Sequence, residues 1–229
     1  MNLQDIIKAE EQIAINRKEV ADGIVSVSDE IHIPVEFRVS RWRLTEDEES
    51  KANILRIARL DEGKLTEEEE SLYDEIKKRP PYLTTRDGKA FAFVGLITNT
   101  GGSSVWRALR GDAITAFSNA NTRLAIGSSS TAAAAAQTAL VTQTGSRISM
   151  ATSFPILGGE SAGGKTSAVR EVVFRSTFGS GDGNSDWREF GVFNAATGDD
   201  DNLLDRFTSS QGTKVSGQVW ELTVDITLT

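Results

Sequence analysis

The chain has 229 residues, with 33 Asp+Glu against 25 Lys+Arg, a formal net charge of −8, and no cysteine. That length suits one domain or two small ones. The missing thiol excludes disulfides, thiolate metal sites and cysteine nucleophiles, and the acidity argues against a main role in binding nucleic-acid phosphates.

No apolar run reaches the ~18 residues of a membrane span, and MNLQDIIKAEEQ lacks a signal peptide's charged and apolar regions. The expectation is a soluble protein with no membrane partner and no export signal. Residues 1–89 carry 21 Asp+Glu against 15 Lys+Arg, while the rest carries 12 against 10 and is rich in Ser, Thr, Gly and Ala. The shift suggests two regions: 1–89, a charged arm, strand and acidic helical hairpin, and 90–229, a β-sandwich module.

In chain order, residues 3–19 can form a helix with Ile6, Ile7, Ile13 and Ile15 as a loose stripe. Residues 24–43 alternate like a strand, with Ile31, Ile33, Val35, Phe37 and Val39 on one side, and Pro34 favours an edge position. Thr45 with Glu48, and Thr66 with Glu69, are capping boxes that start two helices. Ile54, Leu55, Ala58 and Leu60 form the expected inward face of the first, and Gly63 its C-cap. Leu72, Tyr73 and Ile76 line the second, which Lys77, Lys78 and Arg79 favour through the dipole and Pro80-Pro81 stop.

After Ala90 the pattern turns to strands: 91–97, Thr122–Ile126, Arg147–Phe154, Val169–Phe178, Trp187–Phe193, Leu203–Phe207 and Val219–Leu228. A short helix over Ser103–Leu109 is expected to turn Val105, Trp106 and Leu109 inward. Thr131–Leu140 reads either as one or two helical turns or as an ordered loop. In the last strand Trp220, Leu222, Val224, Ile226 and Leu228 alternate with Glu221, Thr223, Asp225 and Thr227, which describes a half-buried strand. The fold class that follows is mainly β: an antiparallel sandwich or barrel-like module with a smaller α+β helical-hairpin region before it.

Three segments carry possible chemistry. Gly159 to Thr166 matches G-x-x-x-x-G-K-[ST], the pattern whose backbone amides cradle phosphates while Lys165 reaches the outer ones. A phosphate loop needs a helix next, but Val172, Phe174 and Phe178 continue as a strand, so a hairpin is expected. Asp182, Asn184 and Asp186 resemble the start of a calcium loop, but Trp187 and Phe193 stand where an EF-hand needs Gly and Glu; a turn is expected. Arg38, Arg41 and Arg43 around Trp42 are candidate intersubunit contacts, pairing with the acidic helices or a neighbouring subunit rather than with nucleic acid. His32 lies in an alternating stretch and reads as a strand histidine. No nucleophile sits beside a plausible base, so no enzyme, cofactor or metal is expected.

The carboxy half resembles a known family as a whole. Its segments are TAFSNANTRLAIG, SSSTAAAAAQTALV, EVVFRSTFGSGDGNSDWREFGVFNAATG, LLDR and GTKVSGQVWELTVDITL. Small virion structural proteins of tailed bacteriophages carry a similar order: AFxNANAxIGVGDSSTAAAAxQTxL, FRATFGxxDANxxWxEWGIFNA, LNRK and GTKxSGxxWxLTVxIT. The likeness spans roughly residues 112–229. It implies an all-β module for assembly on the virion, without cofactor or catalytic residues. Asn119, Asn121, Gly127, Trp187, Phe193, Asn194 and Gly212 then read as turn and core positions. The Gly159–Thr166 insert departs from the family's shorter hairpin, and the acidic first half has no counterpart.

The expectation is a capsid decoration or cement protein, assembled in the host cytoplasm and located in the virion. It would bind the major capsid protein or other virion subunits, and would form a homo-oligomer. A tail, neck or fibre component, including a host adhesin, is the alternative. A nucleotide-binding enzyme using Gly159–Thr166 is a third reading.

Overall fold

The computed structural model describes residues 35–87, 96–197 and 203–227. The expected helix at 3–19, His32, Pro34 and Leu228 lie outside them. The chain runs β1 (Val35–Arg43), α1 (Glu46–Ile57), α2 (Glu67–Lys77), β2 (Leu83–Asp87), β3 (Leu96–Ile97), α3 (Asn99–Arg110) and β4 (Arg123–Gly127). It continues through β5 (Ile148–Ser149), β6 (Ile156–Leu157), β7 (Ser161–Ala162), β8 (Lys165–Thr166), β9 (Glu171–Phe178), β10 (Asp186–Phe193), β11 (Leu203–Thr213) and β12 (Gln218–Thr227).

The strands form two five-stranded antiparallel sheets, ordered β2-β1-β12-β9-β6 and β3-β11-β10-β4-β5, plus the small β7-β8 hairpin. One apolar cluster joins their inner faces: Phe37, Phe174 and Leu222 from the first sheet meet Ile126, Phe190 and Phe207 from the second. Phe207 stacks on Phe37 and Phe190 at 4.7 and 4.9 Å between ring centroids, and Trp187 meets Trp220 edge-on at 4.8 Å. Each such buried ring contributes roughly 1.5–3 kcal/mol over leaving it in water. The fold is mainly β, a sandwich with a small helical region near its start, in agreement with the alternation read from sequence.

The last strand is not half-buried. β12 is the middle strand of its sheet, and its polar side is covered too, with Thr223 and Asp225 both buried. Trp42 and Val219 on that outer face pack against Ala52, Leu65, Tyr73 and Ile76 of the helical hairpin. At the other end Lys165 of the β7-β8 hairpin reaches Asp225 at 2.9 Å. Strand β1 is likewise interior over Phe37–Arg41, hydrogen-bonded to β12 and β2.

Both capping boxes form as expected, with Thr45 and Thr66 accepting from the amides of Glu48 and Glu69. Helix α1 ends at Ala58 instead of Gly63, whose absent side chain lets the backbone press against the Arg147 carbonyl. Of the expected inward face Ile54, Ala58 and Leu60 are exposed and Leu55 is half-buried, while Ala52 is the one buried residue of α1. Of the expected Arg147–Phe154 strand only β5 (Ile148–Ser149) forms, and β6 lies beyond it, while β11 extends past Phe207 through Thr213 by pairing with Asp186 and Trp187. Thr131–Leu140 is an ordered loop.

Helix α3 also faces opposite to expectation: Val105, Trp106 and Leu109 point outward, and Gly101 and Ser104 are buried. Small residues decide this. A Cβ on Gly101 would lie 2.2 Å from the Leu204 carbonyl oxygen, so only glycine lets the helix touch β11 there. Thr98, the N-cap, donates to the Leu203 carbonyl at 2.5 Å and fixes the same contact. Gly101→Ala is therefore expected to cost about 1–3 kcal/mol through overpacking. Urea unfolding checks this, and a loss no larger than for Gly102→Ala, where there is room, would count against it.

Candidate functional site

The Gly159–Thr166 segment is a hairpin: Ser161 and Ala162 pair with Thr166 and Lys165 around Gly163 and Gly164, both at positive φ. Strand β9 follows it where a phosphate loop requires a helix, so no helix dipole faces the turn. Lys165 is held by Asp225 at 2.9 Å and Glu171 at 3.6 Å. Its amine serves to seat the hairpin on the sheet.

The oxygens of the 182–186 loop are taken by the protein's own cations. Asp182 accepts two hydrogen bonds from Arg59, at 2.9 and 3.0 Å, and Arg59 also donates to Glu69 at 2.6 Å. Burial alone would lower the Arg59 pKa; the hydrogen bonds it donates to Glu69 and Asp182 reverse this and raise it. Lys214, almost fully buried, donates to the Gly179 carbonyl at 2.7 Å and to Asn184 Oδ1 at 2.8 Å. Its burial pushes the amine down to about 7, against the opposing pull of Asp182. Asp186 accepts from Thr213 and Arg188. Tyr73 lies beside this network, and burial, then Asp182 and Glu69, push its phenol up to about 12. Among the described residues no cluster of three or more His, Cys, Asp or Glu side chains could hold a metal ion. The loop is a turn, and two cations lock it to the helical hairpin and to β11–β12.

The structure separates the four candidate contact residues. Arg41 is buried, donates to the Gln211 carbonyl at 2.7 Å, and lies over the Trp220 ring. Burial lowers its pKa. Trp42 donates to the Arg79 carbonyl at 2.8 Å beneath the helices. Neither is at a free surface, because both serve to join strands and helices of the same chain. Arg43 is exposed and stacks on Tyr82, and Arg38 is half-buried beside Thr223 on the outer face of the sheet.

Between α2 and the 149–154 loop that outer face forms a cavity of about 570 Å³, lined by Trp42, Tyr73, Lys77, Phe154, Arg175 and Glu221 among others. Its charges hold one another. Lys77 sits between Asp74 at 3.0 Å and Glu221 at 3.3 Å. Arg175 lies over Phe154, 3.7 Å from Glu221, and donates to the Gly163 carbonyl at 2.7 Å. Such a lattice of paired charges and rings rigidifies the surface.

The most deeply buried polar centre was invisible to sequence reasoning. Arg206 and Glu189, both fully buried, face each other on β11 and β10 at 2.7 Å. Arg206 also donates to Gln137 Oε1 and the Thr131 carbonyl, each at 3.0 Å. Glu189 accepts from the amides of Val141 at 2.9 Å and Thr142 at 2.6 Å. The pair thus pins the Ser/Ala-rich loop 128–142 over the outer face of the second sheet, where Leu140 covers Ala125, Phe193 and Leu203. The only advance signs were the Arg and Glu themselves, each set in an otherwise apolar strand. Asp205 is also fully buried, with both carboxylate oxygens lacking a hydrogen-bond partner among the described residues, and burial pushes its pKa up to about 7. No family model, curated protein or solved structure matches this chain.

Proposed function

We propose that this chain is a structural protein of a tailed-phage virion, most specifically a capsid decoration protein that binds major capsid subunits. The observation that carries this reading is the ordered set of segments over 112–229. The architecture supports it by what those segments do. TAFSNANTRLAIG leads into β4, SSSTAAAAAQTALV forms the cover held by Arg206 and Glu189, and the last two segments supply β11 and β12. Their polar residues are used in hinging loops to strands, which suits a rigid assembly unit. Among the described residues no helix is long and apolar enough to cross a membrane.

In this reading the partners are capsid subunits and further copies of the chain, and the location is the particle. The test is quantitative mass analysis of purified particles together with antibody labelling. Copy numbers comparable to the major capsid protein and labelling over the head are expected. A few copies confined to the tail would replace decoration by a tail, neck or fibre role, and absence from particles would overturn the proposal.

A further inference from the structure

Helix α3 shows an exposed apolar stripe that no described residue covers: Val105, Trp106 and Leu109 are 45%, 63% and 74% exposed. Their spacing puts them on one side of the helix. Trp106 stands out, because the other three tryptophans, Trp42, Trp187 and Trp220, are all buried. Arg107 and Arg110, which share the single carboxylate of Asp112, border the stripe, and the first turn of the helix holds no acidic residue. An exposed apolar row rimmed by charge is the mark of a docking surface.

The chain itself contains a segment of matching chemistry. In the 34 residues before β1, the apolar Leu3, Ile6 and Ile13 fall at helical spacing, and Asp5, Glu10 and Glu11 lie beside them. Residues 1–31 carry seven acidic and three basic residues, the opposite sign to the bordering arginines. We infer that the α3 stripe is a socket for residues 3–15 of a neighbouring copy, with Ile6 and Ile13 against Trp106 and Leu109, and Glu10 and Glu11 toward Arg107 and Arg110. The commitment to a neighbouring copy rests on the assembly reading above. A socket on one subunit filled by a segment from the next is a head-to-tail contact, and such contacts propagate into rings or lattices.

The test uses the full chain in solution. Analytical ultracentrifugation is expected to show concentration-dependent oligomers, and iodide is expected to quench Trp106 only weakly. Leu109→Asp, and separately Ile6→Asp with Ile13→Asp, should each give monomers in which iodide quenches Trp106 strongly. Both should still unfold cooperatively, with the midpoint of wild type diluted to monomer, since Leu109 is exposed in the fold and loss of association removes only the oligomer's contribution. Arg107→Glu with Arg110→Glu should weaken association, and adding Glu10→Arg with Glu11→Arg should restore it.

A wild-type chain that stays monomeric would overturn the inference. So would oligomers that Leu109→Asp dissolves and the isoleucine variant leaves intact, which would mean helix-to-helix pairing. A monomer found on particle heads would defeat this inference and leave the virion reading standing; oligomers of a protein absent from particles would do the reverse.

Discussion

Arg206→Met is expected to destabilise the protein by about 3–5 kcal/mol, because it leaves Glu189 as a buried carboxylate without its cation. Arg206 spends its guanidinium on Glu189, at 3.0 and 2.7 Å, on Gln137 and on Thr131, and it reaches no solvent. The loss should be local as well as global. With Arg206 gone, the Thr131 carbonyl loses its donor and Gln137 keeps only the Ala134 amide, and amide exchange over 128–142 should rise before the strands open. Replacing both partners, Arg206→Met with Glu189→Leu, should cost less than the sum of the single changes, since no lone charge remains in the core. It should not restore wild-type stability, because the Val141 and Thr142 amides keep no acceptor. Urea unfolding of the cycle measures this. A single-variant loss under about 1 kcal/mol, as for exposed pairs, would refute the account.

Stability between pH 4 and 7 is expected to fall as pH rises, through Asp205. Its carboxyl titrates near 3.8 when unfolded and about 7 when folded, because burial with no hydrogen-bond donor among the described residues favours the neutral form. A folded pKa above the unfolded one means that the native state holds the proton more tightly. The stabilisation is complete below the unfolded pKa and is lost as pH rises through the folded one. Across that window the loss is on the order of 4 kcal/mol at ~1.4 kcal/mol per pH unit. Asp205→Asn should flatten this slope and make the protein more stable than wild type at pH 8, less what a buried amide costs.

Lys214 acts in the neighbouring window with the opposite sign. Its folded pKa, about 7, lies below its ordinary 10.5, so its contribution is complete above the unfolded pKa and disappears as pH falls toward 7. The two windows meet near neutrality, and Asp205→Asn should change the profile only on the acid side. Thermal unfolding across pH checks both. An unchanged acid-side slope in Asp205→Asn would show that the carboxyl is solvated in the native protein.

Local rules carried a long way in this chain. The two capping boxes start α1 and α2 where Thr45 and Thr66 stand, since a hydroxyl and a carboxylate three residues on satisfy the first amides without help from elsewhere. Alternation located β1, β4, β9, β10 and β12, because a strand's two faces are written at a period of two. It also exposed the Gly159–Thr166 match as a hairpin, since the strand that follows is itself legible.

Which face of a helix turns inward was decided by neighbours far along the chain. The stripe on α3 has the stronger apolar signal, yet the close approach of Gly101 to Leu204, about a hundred residues away, sets the orientation. On α1 the exposed Ile54 and Ile57 yield to Ala52, the side chain small enough to lie against Trp42 and Val219. The polar site followed the same division. Asp182, Asn184 and Asp186 were legible as oxygen donors, but Arg59 and Lys214, which take the oxygens of Asp182 and Asn184, come from other parts of the chain.

The sequence by itself determined the strands, the caps, the charge and the absence of thiol chemistry, because each depends on a few consecutive residues and on composition. Only the tertiary structure decided that β12 lies between β1 and β9, that Arg206 and Glu189 bind a loop instead of water, and that Asp205 is left without a partner among the described residues. Those outcomes depend on which distant groups exclude water from one another, and no local pattern encodes that.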